Sequence, residues 1–439
     1  MGRLSLVGVS KIFGANCAEA LDLIAKGKGK NEIAATCNAV VGLRDISFDI
    51  TEGEILVLMG LSGSGKSTLL RCMNRLVEPS CGQIVVDDVD VTKLSRKELL
   101  AFRQKKFGMV FQHFALLPNR TILGNVGFGL EIRRVPARQR IERAMQAIEL
   151  VGLKGWDSKY PHELSGGMQQ RAGLARALAA DADILLMDEA FSALDPLIRR
   201  DMQAELRELQ RKLRKTIVFV SHDLDEAISL GGRIVLMKDG EVVQIGQPEE
   251  IVARPANEYV ERFVEHIDVA AVFKAEQVAD RSSVVLASTQ TVAEARAATA
   301  ATADDAWLVA DDDGRFVGRV FANKLGAARS TETVSSLLDL GVGAVEADAR
   351  LETILEQVAV EGAVAVVARD GRLIGRVASR DIVRALASRP GAAHGIRHTG
   401  PVTCPNPAGA DQWSGTSPNS PSMRSAMMFS AGSQTMGAG

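Results

Sequence analysis

Residues 55–68 combine an apolar strand with a glycine-rich loop, and this pairing constrains the fold more than any other part of the sequence. The run Ile55–Met59 has the length and hydrophobicity of a strand that is buried on both faces. It leads into Gly60–Thr68, GLSGSGKST, which fits the phosphate-binding pattern GxxxxGKS/T at the start of a helix. The glycines let backbone N–H groups turn inward around phosphate oxygens, and the helix N-terminus adds partial positive charge. The segment therefore predicts an α/β core that binds a nucleotide.

Further apolar runs of strand length point to the same core. The runs at 184–187, 217–220 and 234–237 are each bounded by polar residues or glycine, as buried strands are. Helical patterns such as Gln203–Lys212 separate them, which predicts an α/β sandwich with a largely parallel sheet. The stretch of about 100–178 is rich in helical patterns, and we expect it to form a helical subdomain inserted into that core.

Two acidic residues directly follow the apolar run 184–187. Asp188 is predicted to stand at the carboxyl end of a buried strand, where doubly wound sheets bind ligands. A carboxylate there is suited to hold Mg²⁺ together with the Ser67 hydroxyl, while Lys66 reaches the β- and γ-phosphates. Glu189 is suited to polarise an attacking water as a general base. The alternatives are an acidic pair that caps a helix and a glycine-rich turn that binds nothing.

A third motif, Leu164–Arg171 with the sequence LSGGMQQR, lies between the phosphate loop and the acidic pair. In this order and spacing the three motifs resemble the ATP-binding cassette (ABC) ATPases over roughly residues 40–265. The resemblance implies a P-loop NTPase cassette, assigned to residues 1–265, which binds ATP and Mg²⁺. Ser165, Gly166 and Gly167 begin a helix and can bind an anion, yet they bring no lysine or metal carboxylate. They form half a site, which is completed when a homodimer of cassettes closes on two ATP molecules.

The same resemblance assigns roles to residues whose local sequence is less specific. Gln112 matches the glutamine loop that senses Mg²⁺ and the γ-phosphate, and His222 matches the switch histidine. Asp195 lies in the loop that crosses the dimer interface. The predicted nucleotide-binding residues are Gly60, Leu61, Ser62, Gly63, Ser64, Gly65, Lys66, Ser67, Thr68, Ser165, Gly166, Gly167 and Asp195. The predicted catalytic residues are Glu189, His222 and Gln112, and the predicted Mg²⁺ ligands are Ser67, Gln112 and Asp188.

The position of an adenine-stacking aromatic is left open by the sequence. Cassettes usually place an aromatic residue shortly before the phosphate loop. The candidate here is Phe13, but an insertion separates it from Gly42–Asp45. The sequence therefore allows Phe13 to stack on adenine or to lie elsewhere.

A repeat marks the C-terminal half of the chain. Residues 313–320, DGRFVGRV, recur as residues 370–377, DGRLIGRV, and an apolar strand precedes each copy. The unit resembles a tandem pair of cystathionine-β-synthase-type (CBS) modules of α+β fold at about 275–389. The copy at 275–330 is degenerate, with only the strand-turn-strand recognisable, and the copy at 335–389 is clearer. Residues 390–439 are rich in Pro, Gly and Ser with few charges, which predicts a disordered tail.

Composition limits where the chain works and what it binds. The 439 residues carry a formal net charge of −2, which argues against nucleic acid as a partner. The five cysteines are scattered without a CxxC pair, as expected of reduced thiols in the cytosol. The first residues lack an apolar signal segment, and the apolar runs are far shorter than the ~20 residues that span a bilayer. If the chain serves a membrane process, another chain must supply the membrane part.

Several sequence features resemble the ATPase subunits of quaternary-amine uptake systems, for glycine betaine, proline betaine or choline. These are the insertion after Lys11–Gly14, Leu61 where most importers have proline, the segment Met73–Pro79 and the CBS pair. The resemblance implies an integral-membrane permease, an indirect extracytoplasmic solute-binding protein, and a peripheral location on the cytoplasmic face of the cell membrane. The alternatives are an importer of methionine, a polyamine or another osmolyte, a soluble ABC ATPase of translation or repair, and a regulatory module with an inert cassette.

Two functional segments remain open between alternatives. Apolar residues in 113–118, directly after Gln112, either dock a coupling helix of the permease or pack on their own subdomain. The CBS pair either regulates the cassette or is a degenerate module that only supports dimerisation. If it regulates, the resemblance to osmolyte importers implies ionic strength, anionic lipid or a cyclic dinucleotide as the signal.

Overall fold

Strands and helices alternate through the N-terminal part of the chain, as the sequence predicts. The computed structural model describes residues 3–112, 114–302, 304–341 and 343–387, all within one compact unit. The elements up to residue 264 are β1 (Leu4–Phe13), α1 (Cys17–Ala25), α2 (Lys30–Cys37), β2 (Val40–Ile50), β3 (Ile55–Met59), α3 (Lys66–Met73), β4 (Cys81–Val86), β5 (Val89–Asp90), α4 (Arg96–Lys106), β6 (Phe107–Phe111), α5 (Ile122–Val126), α6 (Phe128–Ile132), α7 (Ala137–Leu150), α8 (Gly166–Ala179), β7 (Ile184–Asp188), α9 (Pro196–Leu213), β8 (Thr216–Val220), α10 (Leu224–Leu230), β9 (Arg233–Lys238), β10 (Glu241–Gly246), α11 (Pro248–Ala253) and α12 (Glu258–Val264).

Six strands form the main sheet in the order β10-β9-β3-β8-β7-β6. All pairs from β9 to β6 are parallel, and only β10 runs antiparallel at one edge. Strands β7 and β8 are buried along their whole length because helices cover one face of the sheet, while α3 and the strands β1, β2 and β4 cover the other. The predicted α/β cassette core is confirmed.

A smaller antiparallel sheet, β2-β1-β4-β5, packs beside the main one. The insertion between its first two strands forms the helices α1 and α2, which bury Ala20 and Ile33 in a small core of their own. Because this core is self-contained, β1 and β2 still pair up to the very start of the insertion, where Phe13 lies opposite Val40.

The predicted helical stretch of about 100–178 also contains a strand. Strand β6 pairs with β7 and belongs to the main sheet, so the helices that lie outside the sheet are α5 to α8. Their apolar faces, including Val126, Leu130 and Ile148, join the same hydrophobic core as the helix-covered side of the sheet. The shortness of Phe107–Phe111 explains the difference, since this strand has only five residues and only Gly108 and Val110 are fully buried, which gives a weak strand pattern in the sequence.

The C-terminal part contains two three-stranded sheets, β11-β12-β13 and β14-β15-β16. Two short helices lead into them. The elements are α13 (Val269–Val272), α14 (Ala275–Val278), β11 (Val285–Ala287), α15 (Val292–Thr299), β12 (Ala306–Ala310), β13 (Phe316–Phe321), α16 (Ala322–Ala327), β14 (Ala344–Glu346), α17 (Leu351–Glu361), β15 (Ala363–Val367), β16 (Leu373–Ala378) and α18 (Ser379–Ala387).

Both copies of the repeat fold into the same unit of strand, helix, two strands and helix. Only the strand-turn-strand of the first copy is recognisable in the sequence, and in the structure β11, α15 and α16 complete this copy. The first strand of each copy is only three residues long, too short for its pattern to be recognised in the sequence. The predicted disordered tail at 390–439 lies outside the described residues.

The repeated Gly-Arg pair marks where each copy receives a segment from outside itself. Arg319 in the first copy pairs with Asp339, and Arg376 in the second copy pairs with Asp280. A Cβ on Gly318 would lie 2.9 Å from the Asp339 carbonyl oxygen, so only glycine allows this close approach. The exchange ties the two copies into a pseudo-symmetric pair.

Among the residues that the structure describes, no helix combines the length and hydrophobicity needed to cross a membrane.

Candidate nucleotide-binding site

Four parallel strands end side by side at the candidate site. In register, Phe111 of β6 lies opposite Asp188 of β7, which lies opposite Val220 of β8, and Val220 lies opposite Leu58 of β3. Ligands of open α/β sheets bind beyond the carboxyl ends of the strands. The residues that follow these strands are thereby gathered at one edge of the sheet: Gln112, Glu189, His222 and the loop from Gly60.

The phosphate loop holds a backbone shape that requires glycine at two positions. Gly60 and Gly65 have φ values of 143° and 100°. A Cβ on Gly60 would lie 2.2 Å from the Met237 carbonyl oxygen, and one on Gly65 would lie 2.7 Å from the Gly42 carbonyl oxygen. The loop is therefore enclosed by β2 and by the end of β9, and its residues lead directly into α3.

Lys66 lies across the phosphate loop. Its Nζ donates hydrogen bonds to the carbonyl oxygens of Gly60 at 2.8 Å and Leu61 at 3.0 Å. Burial lowers the pKa of Lys66, and the nearby carboxylates of Glu189 and Asp188 oppose that effect. A buried ammonium held by carbonyl oxygens is well placed to exchange them for phosphate oxygens, which bind cations more strongly.

Ser64 provides a polar atom that has no partner within the protein. Its hydroxyl oxygen is buried in the phosphate loop and makes no hydrogen bond to any described residue. Buried polar groups without a partner cost free energy, so they are rare outside functional sites. This group fits a loop built to surround phosphate oxygens.

Asp188 is buried at the end of β7 and contacts two residues of α3. Its Oδ1 accepts a hydrogen bond from the Ser67 hydroxyl at 2.7 Å, and its Oδ2 lies 3.2 Å from Nη2 of Arg71. The hydroxyl and carboxylate oxygens are the hard donors that Mg²⁺ prefers, so this pair fits the predicted metal position. Arg71 was not identified from the sequence, although its spacing of four from Ser67 places both on one helix face.

Glu189 has a backbone conformation that is unusual for a residue with a side chain. Its φ is 46°, in the left-handed region, and its carbonyl oxygen accepts hydrogen bonds from the N–H and hydroxyl of Ser192. His222 Nδ1 lies 4.0 Å from Glu189 Oε2, and the imidazole is largely exposed. This backbone conformation places the Glu189 side chain beside His222 at the open edge of the site. Residues with such strained backbones are concentrated at functional sites.

The predicted signature residues lie on a different part of the chain. Ser165 caps the N-terminus of α8 by accepting a hydrogen bond from the Met168 N–H, and a Cβ on Gly167 would lie 2.8 Å from Ile198. The motif thus packs beside the start of α9, which follows Asp195. Among the described residues, no hydrogen bond joins residues 165–167 to the phosphate loop.

Phe13 lies close to the phosphate loop despite the insertion that follows it. A Cβ on Gly42 would lie 2.7 Å from the Phe13 ring, and the Gly42 carbonyl faces Gly65. The ring is partly exposed, with Lys11 Nζ 5.0 Å from its centroid. The sequence could not establish this proximity because it depends on the pairing of β1 with β2.

Comparison with known proteins agrees with the geometry. The ABC transporter family model matches residues 43–192, and the CBS domain model matches residues 337–388. The chain is 45% identical over 389 residues to the glycine betaine/proline betaine transport system ATP-binding protein ProV of Salmonella typhimurium, covering 88% of this chain and 97% of that protein.

Two further relatives cover less of the chain. The glycine betaine transport ATP-binding protein OpuAA of Bacillus subtilis is 53% identical, covering 64% of this chain and 68% of that protein. The trimethylamine N-oxide transport system ATP-binding protein TmoW of Pelagibacter ubique is 44% identical, covering 72% of this chain and 94% of that protein. The chain therefore belongs to the ATP-binding, ATP-hydrolysing subunits of ABC transporters, in the quaternary-amine uptake family with C-terminal CBS domains.

Proposed function

We propose that this chain hydrolyses MgATP to drive import of glycine betaine or a related quaternary amine through a separate membrane permease. The observation that carries the proposal is the near full-length similarity to the Salmonella glycine betaine/proline betaine protein. The chain would sit on the cytoplasmic face of the cell membrane, and an extracytoplasmic solute-binding protein would deliver the solute. The relatives named for trimethylamine N-oxide support a second candidate solute, which is also a small methylated amine.

The residues at the strand ends supply the groups that hydrolysis needs. Lys66 would bind the β- and γ-phosphates, and Ser67, Asp188 and Gln112 would hold Mg²⁺, which would supply charge neutralisation on the phosphates. Glu189 orients the attacking water and accepts its proton. His222, next to Glu189, contacts the γ-phosphate. Phe13 stacks on the adenine.

A second protomer completes each site. Among the described residues, no hydrogen bond joins residues 165–167 to the phosphate loop of their own chain, and we propose that these residues and Asp195 meet the γ-phosphate bound by another chain. ATP would then join two cassettes, and hydrolysis would release them, which gives the permease an alternating mechanical input.

The segment after Gln112 is proposed to dock the permease, although it also packs within its own chain. Phe114 and Leu116 lie against the cassette core, and Arg176 donates hydrogen bonds to the Phe114 and Ala115 carbonyl oxygens. His113 lies outside the described residues. The exposed positions left for a partner are Ala115 and Pro118, on a loop held firmly by α8.

The CBS pair is proposed to regulate the cassette through the contact between α17 and α10. Arg350, just before α17, donates a hydrogen bond to the Ile228 carbonyl oxygen at 2.7 Å. Burial lowers the pKa of Arg207 in the same junction, and the neighbouring guanidinium groups of Arg350 and Arg211 lower it further. Because salt screens repulsion between like charges, the junction offers a physical basis for a response to ionic strength.

The Glu189→Gln substitution should trap an ATP-bound dimer. The amide keeps the shape of the side chain but cannot act as a base, so the binding groups remain while hydrolysis stops. Light scattering of the full-length chain with saturating MgATP should report a dimer, and Lys66→Ala in the same background should keep it monomeric. A Glu189→Gln chain that stays monomeric would contradict the proposed dimer.

Transport assays should identify methylated amines as the solutes. In proteoliposomes containing the chain, its permease and its binding protein, we expect ATP-dependent uptake of glycine betaine, proline betaine or choline. Trimethylamine N-oxide, methionine and spermidine are the comparison solutes, and Lys66→Ala is the inactive control. Uptake of methionine or spermidine without any methylated amine would refute the proposed solute class.

Crosslinking should test the docking loop. Cysteines introduced at Ala115 or Pro118, in a background carrying Cys17→Ser, Cys81→Ser and Cys404→Ser, should crosslink to the permease in native membranes. A cysteine at Val360, which is 82% exposed on α17, serves as the control and should not crosslink to it. If 115 and 118 capture no permease while the complex remains active, the loop is not a docking site.

The Arg350→Ala substitution should flatten the salt dependence of ATP hydrolysis in the reconstituted transporter. An allosteric coupling of ~1–3 kcal/mol would correspond to a change of ~5–150-fold between low and high salt. Arg369→Ala is the matched control, because Arg369 is exposed and its ion pair, with Asp348, lies within the CBS module. Point substitution is preferable to deleting residues 268–439, since Val269 and Val272 are buried in the cassette core. If the dependence of ATP hydrolysis on salt concentration is unchanged, a CBS pair that only supports dimerisation would be favoured.

A further inference from the structure

Arg199, one turn into α9, holds the loop that carries Asp195. Its Nη2 donates hydrogen bonds to the carbonyl oxygens of Leu194 at 3.1 Å and Ser192 at 3.4 Å. Its backbone N–H donates to the Asp195 carbonyl oxygen at 2.8 Å. This loop also folds back on Glu189 through Ser192, so Arg199 is fixed to the segment that follows the catalytic strand end.

The same guanidinium faces two acids at the start of α10. Arg199 Nη1 lies 3.6 Å from Asp223 Oδ2, and its Nε lies 3.7 Å from Glu226 Oε1. These are ion-pair distances, and the Nε is buried without a hydrogen-bond partner among the described residues. Arg199 thus lies between the loop 192–195 and the helix that follows His222.

Glu226 connects Arg199 to Ser221, the residue that precedes His222. Its Oε2 accepts a hydrogen bond from the Ser221 hydroxyl, and its Oε1 accepts one from Gln203 Nε2 at 3.3 Å. The carboxyl group is buried, and this burial raises its pKa against the opposing effect of Ser221 and Arg199. Because this buried carboxyl group accepts a hydrogen bond from Ser221 and from Gln203, it fixes the orientation of both side chains.

Ser221 in turn shapes the backbone around His222. Its hydroxyl accepts a hydrogen bond from the Asp223 N–H at 2.9 Å, which closes a turn with His222 at its centre. Its own N–H donates to the Leu58 carbonyl oxygen at 3.1 Å, on the strand that leads into the phosphate loop. The orientation of the Ser221 hydroxyl therefore sets the direction in which His222 leaves the strand.

We propose that Arg199, Glu226 and Ser221 form a positioning chain that places His222 according to the position of the loop containing Asp195. These three residues act through His222 and do not touch the nucleotide. The inference rests on the hydrolytic role proposed above for His222. In the closed dimer the Asp195 loop meets the second protomer, so the positioning chain makes hydrolysis depend on closure.

Substitutions at the two ends of the positioning chain provide the test. Arg199→Lys keeps the charge but loses the two-carbonyl contact, and Ser221→Ala removes the hydroxyl. In the full-length chain each should lower kcat for MgATP by ~10-fold, with KM for ATP changed by less than ~2-fold. The double variant should also lose only ~10-fold, because both changes break one linked unit. Ser221→Thr, which restores a hydroxyl, should recover most of the activity.

Controls separate a positioning role from general damage. Arg200→Lys changes the adjacent arginine, which lines the cleft between α9 and α10 together with Arg199 but makes no hydrogen bond to residues 192–195 among the described residues, and should leave kcat unchanged. Thermal unfolding of every variant should stay close to that of the parent chain. Losses that multiply to ~100-fold in the double variant, unchanged kcat in the single variants, or a rise in KM alone would each overturn the positioning chain.

His222→Ala, measured in parallel, distinguishes this inference from the proposed function. If it abolishes hydrolysis while Arg199→Lys and Ser221→Ala remain fully active, only the positioning chain is wrong. If His222→Ala hydrolyses ATP at the parent rate, the role proposed for the histidine fails, and the positioning chain fails with it.

Discussion

The in-register packing of β6, β7, β8 and β3 is the constraint on which the rest of this structure depends. These strands are parallel and almost entirely buried, so their register is fixed by side chains packed on both faces. Because all four end at the same edge, residues far apart in sequence are brought together there. A shift of one residue in β7 would turn Asp188 to the opposite face and separate it from Ser67.

Burying charged groups at this edge is tolerated because each has a partner. Lys66 lies on two carbonyl oxygens, and Asp188 accepts from Ser67 and contacts Arg71. A buried charge without such partners would be too costly to retain. The arrangement keeps cationic and anionic groups close to one another, as phosphate and metal binding both require.

Each CBS copy is completed by backbone contacts from the other copy, which the sequence repeat alone does not show. Each Gly-Arg pair receives a strand-like contact from a segment outside its own copy, at Asp339 for one and Asp280 for the other. The turns of the two repeats also pair, since the Phe316 N–H donates to Gly371 and the Leu373 N–H donates to Gly314. The weaker sequence match of the first copy therefore does not mean a weaker fold. Through Arg350 the second copy reaches α10, the helix that follows His222.

The sequence by itself determined the α/β core, the phosphate loop and the acidic strand end, because apolar strand runs and glycine spacing are local signals. It also indicated the repeat, since DGR-x-x-GRV is a contiguous pattern. Only the tertiary structure decided that β6 belongs to the main sheet, that Phe13 packs against Gly42 across the insertion, and that Arg71 contacts Asp188. The contacts from Arg199 through Glu226 to Ser221 could likewise not be inferred from the sequence, because they join side chains on separate elements. Such contacts depend on how helices and strands pack against one another, and no periodicity along the chain encodes that packing.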